Sequence, residues 1–290
     1  MKQIILLILI FSIYYITTSC EKIQPPYKQA IVPNDTDSDT DAVYIQKVLI
    51  EDFTGFKCGN CPKAHDAIEE LKAMYPGKIV SYAIHSGSFA KPNTAGTKYR
   101  YDFRTPLGSE LTRIFNPDSS WYPSGLINRI KINDSWIQLY PTWSSIIDTI
   151  LNRKPKIEIE IENKYDTTAR TLTTTVKSDI LISMNNTLRL CVYLTEDSII
   201  KWQTDYRLNP YPDVENYVHR HALRGAISSV WGEVISTGNI QAGKTIKKEY
   251  NFVLKNEWNA KHCSVVAFIY DDATKEIIQV EEQNKFYILF

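Results

Sequence analysis

The sequence predicts an α/β domain followed by an all-β domain. Residues 44–153 alternate strand-like and helix-like segments, the order that builds a parallel sheet. Cys58 and Cys61 fall where the first of those strands gives way to the first helix. From Lys156 onward the pattern changes to apolar–polar alternation and helical periodicity disappears, which predicts a β-sandwich over 154–290.

The elements follow in order. Val48 to Phe53 is an apolar run of strand length. Between Pro62 and Tyr75, the residues Ala64, Ile68, Leu71 and Tyr75 share one helical face, and Pro76-Gly77 ends that helix. Ile79 to Ile84 is the next strand, which makes a βαβ unit with parallel pairing. Residues 86–108 read as an inserted loop, Ser109–Phe115 as a short helix, and Leu126–Ile130 as a strand with a second near Ser135–Leu139. Trp143, Ile146, Ile147 and Ile150 mark a last amphipathic helix. Asn152-Arg153-Lys154-Pro155 closes the first domain. Beyond it, strands are predicted at Lys156–Glu162, Thr171–Lys177, Leu188–Leu194, Ile227–Ile235, Lys247–Leu254, Ser264–Tyr270 and Glu276–Val280.

The first residues read as an export signal. Lys2 precedes an uncharged run from Ile4 to Ile16, which is short for an anchor helix. Thr17-Thr18-Ser19-Cys20 resembles a bacterial lipoprotein cleavage box, with Thr17 where Leu is usual. This assigns 1–19 to a signal peptide, Cys20 to lipidation and 20–43 to a tether; ordinary secretion is the plainer alternative. The Asp-alternating stretch Asn34–Asp41 lacks the Gly and Glu of a calcium loop in register, so it reads as a solvated spacer. Charges balance, 33 basic against 33 acidic, and no basic stripe exists, so nucleic acid is not an expected partner.

A Cys-x-x-Cys pair at a strand-to-helix turn suits thiol–disulfide exchange. The helix N-terminus stabilises a thiolate at the first cysteine, and the second is placed to resolve a mixed disulfide. The pair is equally legible as half a zinc site, but Cys20, Cys191 and Cys263 are scattered singly and supply no second half. No metal and no cofactor is expected. Lys57 beside Cys58 either supports a thiolate or is solvated. His65, one turn after Cys61, either tunes the thiols or packs. His85 lies at the C-terminal end of the second strand, on the sheet edge that carries the cysteines. His219 and His221 are two apart, with packing favoured over metal binding. Cys191 and Cys263 are an inter-strand disulfide or two buried thiols. The aromatic stretch Trp202–Tyr217 is a loop, either packed or forming a binding rim.

The first domain resembles the thioredoxin fold. The resemblance implies that Asp52, six residues before Cys58, is a buried acid serving the proton of Cys61, the alternative being a strand-end cap. It also implies that Tyr122-Pro123 is a cis-proline site contacting substrate backbone. Asn60 stands where proline is usual between the cysteines, and Phe56-Lys57 replaces the usual preceding aromatic.

Read together, both halves resemble the twenty-eight-kilodalton outer-membrane lipoprotein family of Gram-negative bacteria. The residues that carry this are Phe53-Thr54-Gly55 with Cys58, Asn60, Cys61, Pro62, Ala64 and His65, then Tyr122 to Arg129, His219 to Gly225, Trp231-Gly232-Glu233, Val265 to Tyr270 and Gln279-Val280. The family implies a lipid-anchored, thioredoxin-like domain followed by an immunoglobulin-like β-sandwich at the outer membrane. The family is defined by location and sequence more than by a reaction, and the residues themselves support two functional readings. One is thiol–disulfide exchange with exported protein thiols or a redox partner, using Cys58, Cys61, Asp52, Tyr122 and Pro123. The other is a binding or adhesion lipoprotein with a structural disulfide. A periplasm-facing anchor favours the first and a surface location the second.

Overall fold

The computed structural model of the protein describes residues 44–115, 117 and 122–289. The signal peptide, Cys20 and the tether lie outside the described residues.

The first elements form as the apolar pattern requires. Strand β1 (Val48–Thr54) is buried throughout, and helix α1 (Cys61–Met74) follows it. Pro62 occupies the first turn of α1, where a missing N–H costs no helical bond. The helix buries Cys61, Pro62, Ala64, Ile68 and Leu71, and its apolar stripe packs against Val48, Ile50, Ile127 and Trp143. Strand β2 (Ile79–His85) then pairs parallel with β1, from Val48↔Ile79 to Thr54↔His85.

The rest of the first half supports that unit. Helix α2 spans Pro106–Phe115, three residues longer at its start than the sequence predicts. Strand β3 (Ser124–Ile127) pairs antiparallel with β1. It ends earlier than predicted because Asn128 and Arg129 take φ of 45° and 52°, which no strand continues through. Strand β4 (Gln138–Leu139) and helix α3 (Trp143–Leu151) complete this half.

In the second half, β5 (Ile157–Asp166) and β6 (Thr171–Ile180) alternate buried and open positions along most of their length. A short pair links β7 (Met184–Asn185) to a later strand. Strand β8 (Leu188–Glu196) is buried on both faces for nearly its whole length. The stretch read as an aromatic loop is instead a hairpin. Strands β9 (Ile199–Thr204) and β10 (Asp213–His219) pair antiparallel, with a register shift between Val214 and Tyr217. The predicted strand 227–235 is also different. Strands β11 (Ala222–Ala226) and β12 (Glu233–Ser236) flank a turn there. Gly232 makes that turn with φ 67°, and a Cβ on it would stand 2.2 Å from the Leu190 carbonyl oxygen. Strands β13 (Asn239–Ile240), β14 (Thr245–Val253), β15 (Cys263–Asp271), β16 (Ile277–Gln283) and β17 (Tyr287–Leu289) complete the order.

One sheet runs across the expected boundary at 153–154. Its order is β16-β15-β8-β11-β2-β1-β3-β4, with β12 also on β8. The seam is the parallel pair β2–β11, where Ala222 faces Ala83 and the Ala83 N–H donates to the His221 carbonyl at 2.9 Å. A second sheet, β14-β6-β5-β17, packs on one face of the β8–β15 region through Ile159, Leu172, Val192 and Val265. The opposite face meets Leu111, Phe115, Tyr82 and Ile84 through Tyr193, Phe268 and Tyr270. A strand covered on both faces reads as a continuous apolar run, which is why β8 and β15 stand out in the sequence.

Candidate functional site

Cys58 and Cys61 are joined by a disulfide with a Cα–Cα separation of 5.4 Å. Cys61 opens α1, and its N–H donates to the Cys58 carbonyl at 3.2 Å. Both residues are buried, Cys58 at 3 % exposure and Cys61 at 0 %. Lys57 Nζ donates to Asn93 Oδ1 at 2.6 Å.

The cover comes from the β9–β10 hairpin, which sequence reading did not place here. The Thr204 N–H donates to the Phe56 carbonyl at 2.8 Å, Gln203 Nε2 to the Cys58 carbonyl at 3.0 Å, and the Tyr206 N–H to the Gly59 carbonyl at 2.9 Å. Arg207 in the hairpin turn pairs with Asp205 and with Asp66 on α1.

Asp52, on β1, is 1 % exposed, and neither carboxylate oxygen has a hydrogen-bond partner. His65 Nε2 stands 3.4 Å from Asp52 Oδ2. That nitrogen also shares a 3.1 Å hydrogen bond with Thr54 Oγ1, and Nδ1 shares one of 2.7 Å with the Tyr217 hydroxyl. Nothing in the sequence signals the Tyr217 contact, which spans the two halves.

Four of the chain's 5 histidines line one cavity of about 70 Å³ beside Asp52: His65, His85, His219 and His221. His85 stacks on Phe103 at 4.3 Å and lies 5.5 Å from the His219 ring. Burial, then the neighbouring His219 and His65, pushes His85 well below the usual imidazole range. Burial lowers His219 to about 3. Burial and then Lys72, whose Nζ lies 2.6 Å from Nε2, lower His221 to about 4. These three rings are neutral at neutral pH. Among the described residues, no group of three or more His, Cys, Asp or Glu side chains is arranged to hold a metal ion.

The Tyr122–Pro123 bond is cis. The Tyr122 ring is 7 % exposed, and its hydroxyl shares a 2.7 Å hydrogen bond with Ser86 Oγ. It packs beside Phe53 and Phe89 at ring separations of 6.5 Å and 6.2 Å. Cys191 and Cys263 are free and buried. They sit in the cores on opposite faces of the large sheet, and the register sets Cys191 opposite Phe268 and Cys263 opposite Glu196. An inter-strand bond between them is thereby ruled out.

The fold and the site define a β-rich protein with a cysteine-pair disulfide buried at a strand-to-helix turn. The chain belongs to the Omp28 outer membrane protein family, whose model, Outer membrane protein Omp28, matches residues 111–285, more than half of the chain. Cys58 and Cys61 lie outside that span. Membership places the protein at the outer membrane. No curated protein matches the chain. Among solved structures, the chain is similar to HBP35 of Porphyromonas gingivalis, at 18 % identity and a TM-score of 0.64 over 83 % of this chain and 76 % of that one. It is also similar to a domain of the outer membrane lipoprotein Omp28 from Porphyromonas gingivalis, at 24 % identity and a TM-score of 0.34, over 48 % of this chain and 93 % of that one. The likeness to HBP35 is one of fold. No helix among the described residues is long and apolar enough to cross a membrane.

Proposed function

We propose that this outer-membrane protein is a lipoprotein, anchored through Cys20, that performs thiol–disulfide exchange on exported proteins. Residues 44–153 act as a thioredoxin-like unit and 154–290 as an immunoglobulin-like β unit that positions it. Cys58 is the attacking or attacked sulfur and Cys61 the resolving one. Asp52 manages the proton, and Tyr122-Pro123 holds the backbone of the partner protein.

One observation carries the proposal. The Cys58–Cys61 disulfide stands at the N-terminus of α1, directly after a strand that holds an unpartnered buried carboxylate, Asp52. A helix N-terminus stabilises the thiolate, and a buried carboxylate whose oxygens accept no hydrogen bond is available to exchange a proton. Opening the 199–219 hairpin exposes Cys58 to a partner.

A second reading, a binding lipoprotein with a structural disulfide, is favoured by the 3 % exposure of Cys58. The reduction potential of the pair separates the two. A value above about −300 mV, in the range of exchanging disulfides, is expected. A lower value assigns the disulfide to structure and overturns the redox function.

A further inference from the structure

Both oxygens of Asp52 are buried and lack a hydrogen bond, and the carboxylate lines a small cavity whose other walls carry the polar side chains nearest to it. The groups around it come from three elements besides its own strand. His85 faces the cavity from β2, His65 from α1, and Tyr217 and His219 from β10. His65 is the one with a nitrogen within 3.4 Å of the carboxylate while its side chain is 20 % exposed. Its second nitrogen is held at 2.7 Å by the Tyr217 hydroxyl. Nε2 shares its hydrogen bond with Thr54 Oγ1 at 3.1 Å while facing Asp52 Oδ2, so the ring is bonded at both nitrogens, the arrangement in which an imidazole takes a proton in at one nitrogen and passes it out at the other.

We propose that His65 is the proton-transfer residue that connects Asp52 to solvent, with Tyr217 as the group that orients it. The inference rests on the redox function above and names how its proton moves. In the reductive direction, a thiolate of a protein dithiol attacks Cys58 Sγ. The new S–S bond forms, the Cys58–Cys61 bond breaks, and its electron pair leaves on Cys61 Sγ. That sulfur takes a proton handed on by Asp52. His65 returns a proton to Asp52 Oδ2 from Nε2 and is refilled at Nδ1 through the Tyr217 hydroxyl. The partner's second thiolate then displaces Cys58 and leaves oxidised. Oxidation of the protein reverses each step.

The other charged and titratable groups near His65 are Asp66 and Glu69 on α1, Arg207 paired to Asp66, His219 on β10, and His221 beyond it. His85 and His219 do not compete for the proton, because burial keeps both neutral. Tyr217 is itself pushed upward by burial, so it works as a hydroxyl that relays a proton and not as an anion.

The test is single-turnover reduction of the full-length protein in detergent by dithiothreitol near neutral pH. His65→Gln is expected to slow reduction about tenfold or more, at the lower end of general acid–base effects, and Tyr217→Phe to slow it by a smaller factor. Added imidazole is expected to restore most of the rate to His65→Gly, which a packing role for His65 would not allow. If His65→Gln does not fold, Tyr217→Phe and its rate carry the test. A wild-type rate in the His65 and Tyr217 variants, with Asp52→Asn slow, overturns the relay and leaves the redox function standing. A reduction rate insensitive to Asp52→Asn, together with a potential below about −300 mV, overturns both.

Discussion

Tyr206 lies against Gly59 so closely that a Cβ on Gly59 would stand 2.4 Å from its ring. Gly59, the first of the two residues between the cysteines, is therefore fixed as glycine by a side chain from the far half of the chain, and the same contact seats the hairpin against the cysteine turn. Gly59→Ala is expected to lift the hairpin or strain the turn, at a cost of about 1–3 kcal/mol. Urea unfolding measures the cost.

Tyr206→Ala tests the cover directly. It removes the ring without touching the cysteines, so the disulfide is expected to be reduced several-fold faster by a small phosphine while the fold is kept. An unchanged rate with an intact fold would mean that the hairpin does not limit access.

Glu51 and Arg129 form a fully buried ion pair, with Arg129 Nε 2.6 Å from Glu51 Oε2 and its guanidinium 5.0 Å from the rings of Phe115 and Phe268. Glu51→Gln leaves the guanidinium uncompensated in a low dielectric. A loss of about 3–5 kcal/mol is expected, read from the urea midpoint. Glu51→Gln should be far more damaging than removal of an exposed pair such as Arg113–Glu110.

The buried histidines make stability fall with acid. Each has a folded value below 6.5, His219 about 3 and His221 about 4, so the unfolded chain binds more protons than the folded one in that window. Their contribution is complete above pH 6.5 and is lost as pH falls toward the folded values. The slope is at most about 1.4 kcal/mol per pH unit for each ring. His219→Asn is expected to flatten the dependence between about pH 6.5 and 4, checked by urea unfolding at several pH values.

Cys191 and Cys263 are expected to resist alkylation in the folded protein. Burial pushes both thiols up to about 12, so almost no thiolate exists at neutral pH. Mass spectrometry after iodoacetamide treatment should show neither modified until urea is added, when both react.

The sequence made some of this legible for clear physical reasons. Strand β5 shows its alternation because one face is buried and the other wet, and β8 and β15 show as apolar runs because both faces are covered. The helix after Cys61 shows because Ala64, Ile68 and Leu71 bury one stripe. Cys58 and Cys61 fall together because they bracket one turn at the start of the helix. The β9–β10 hairpin was hidden because its residues are mostly open to solvent and a register shift breaks its period. The His65–Tyr217 contact joins residues 152 positions apart, a separation that no local pattern records.

The β2–β11 seam has a practical consequence for anyone dividing this chain. Cutting at 153–154 would strip β2 of its neighbour and leave Ala83 with an unmet amide, next to the fully buried Tyr82 and Ile84. It would also remove Tyr193, Phe268 and Tyr270 from the apolar cluster they share with Leu111 and Phe115. A bare apolar edge of this kind recruits other strands. Truncated fragments are therefore poor reagents for assigning either half a role, and complementation by mixing two separately expressed pieces is the informative format: the pieces should find each other along this edge.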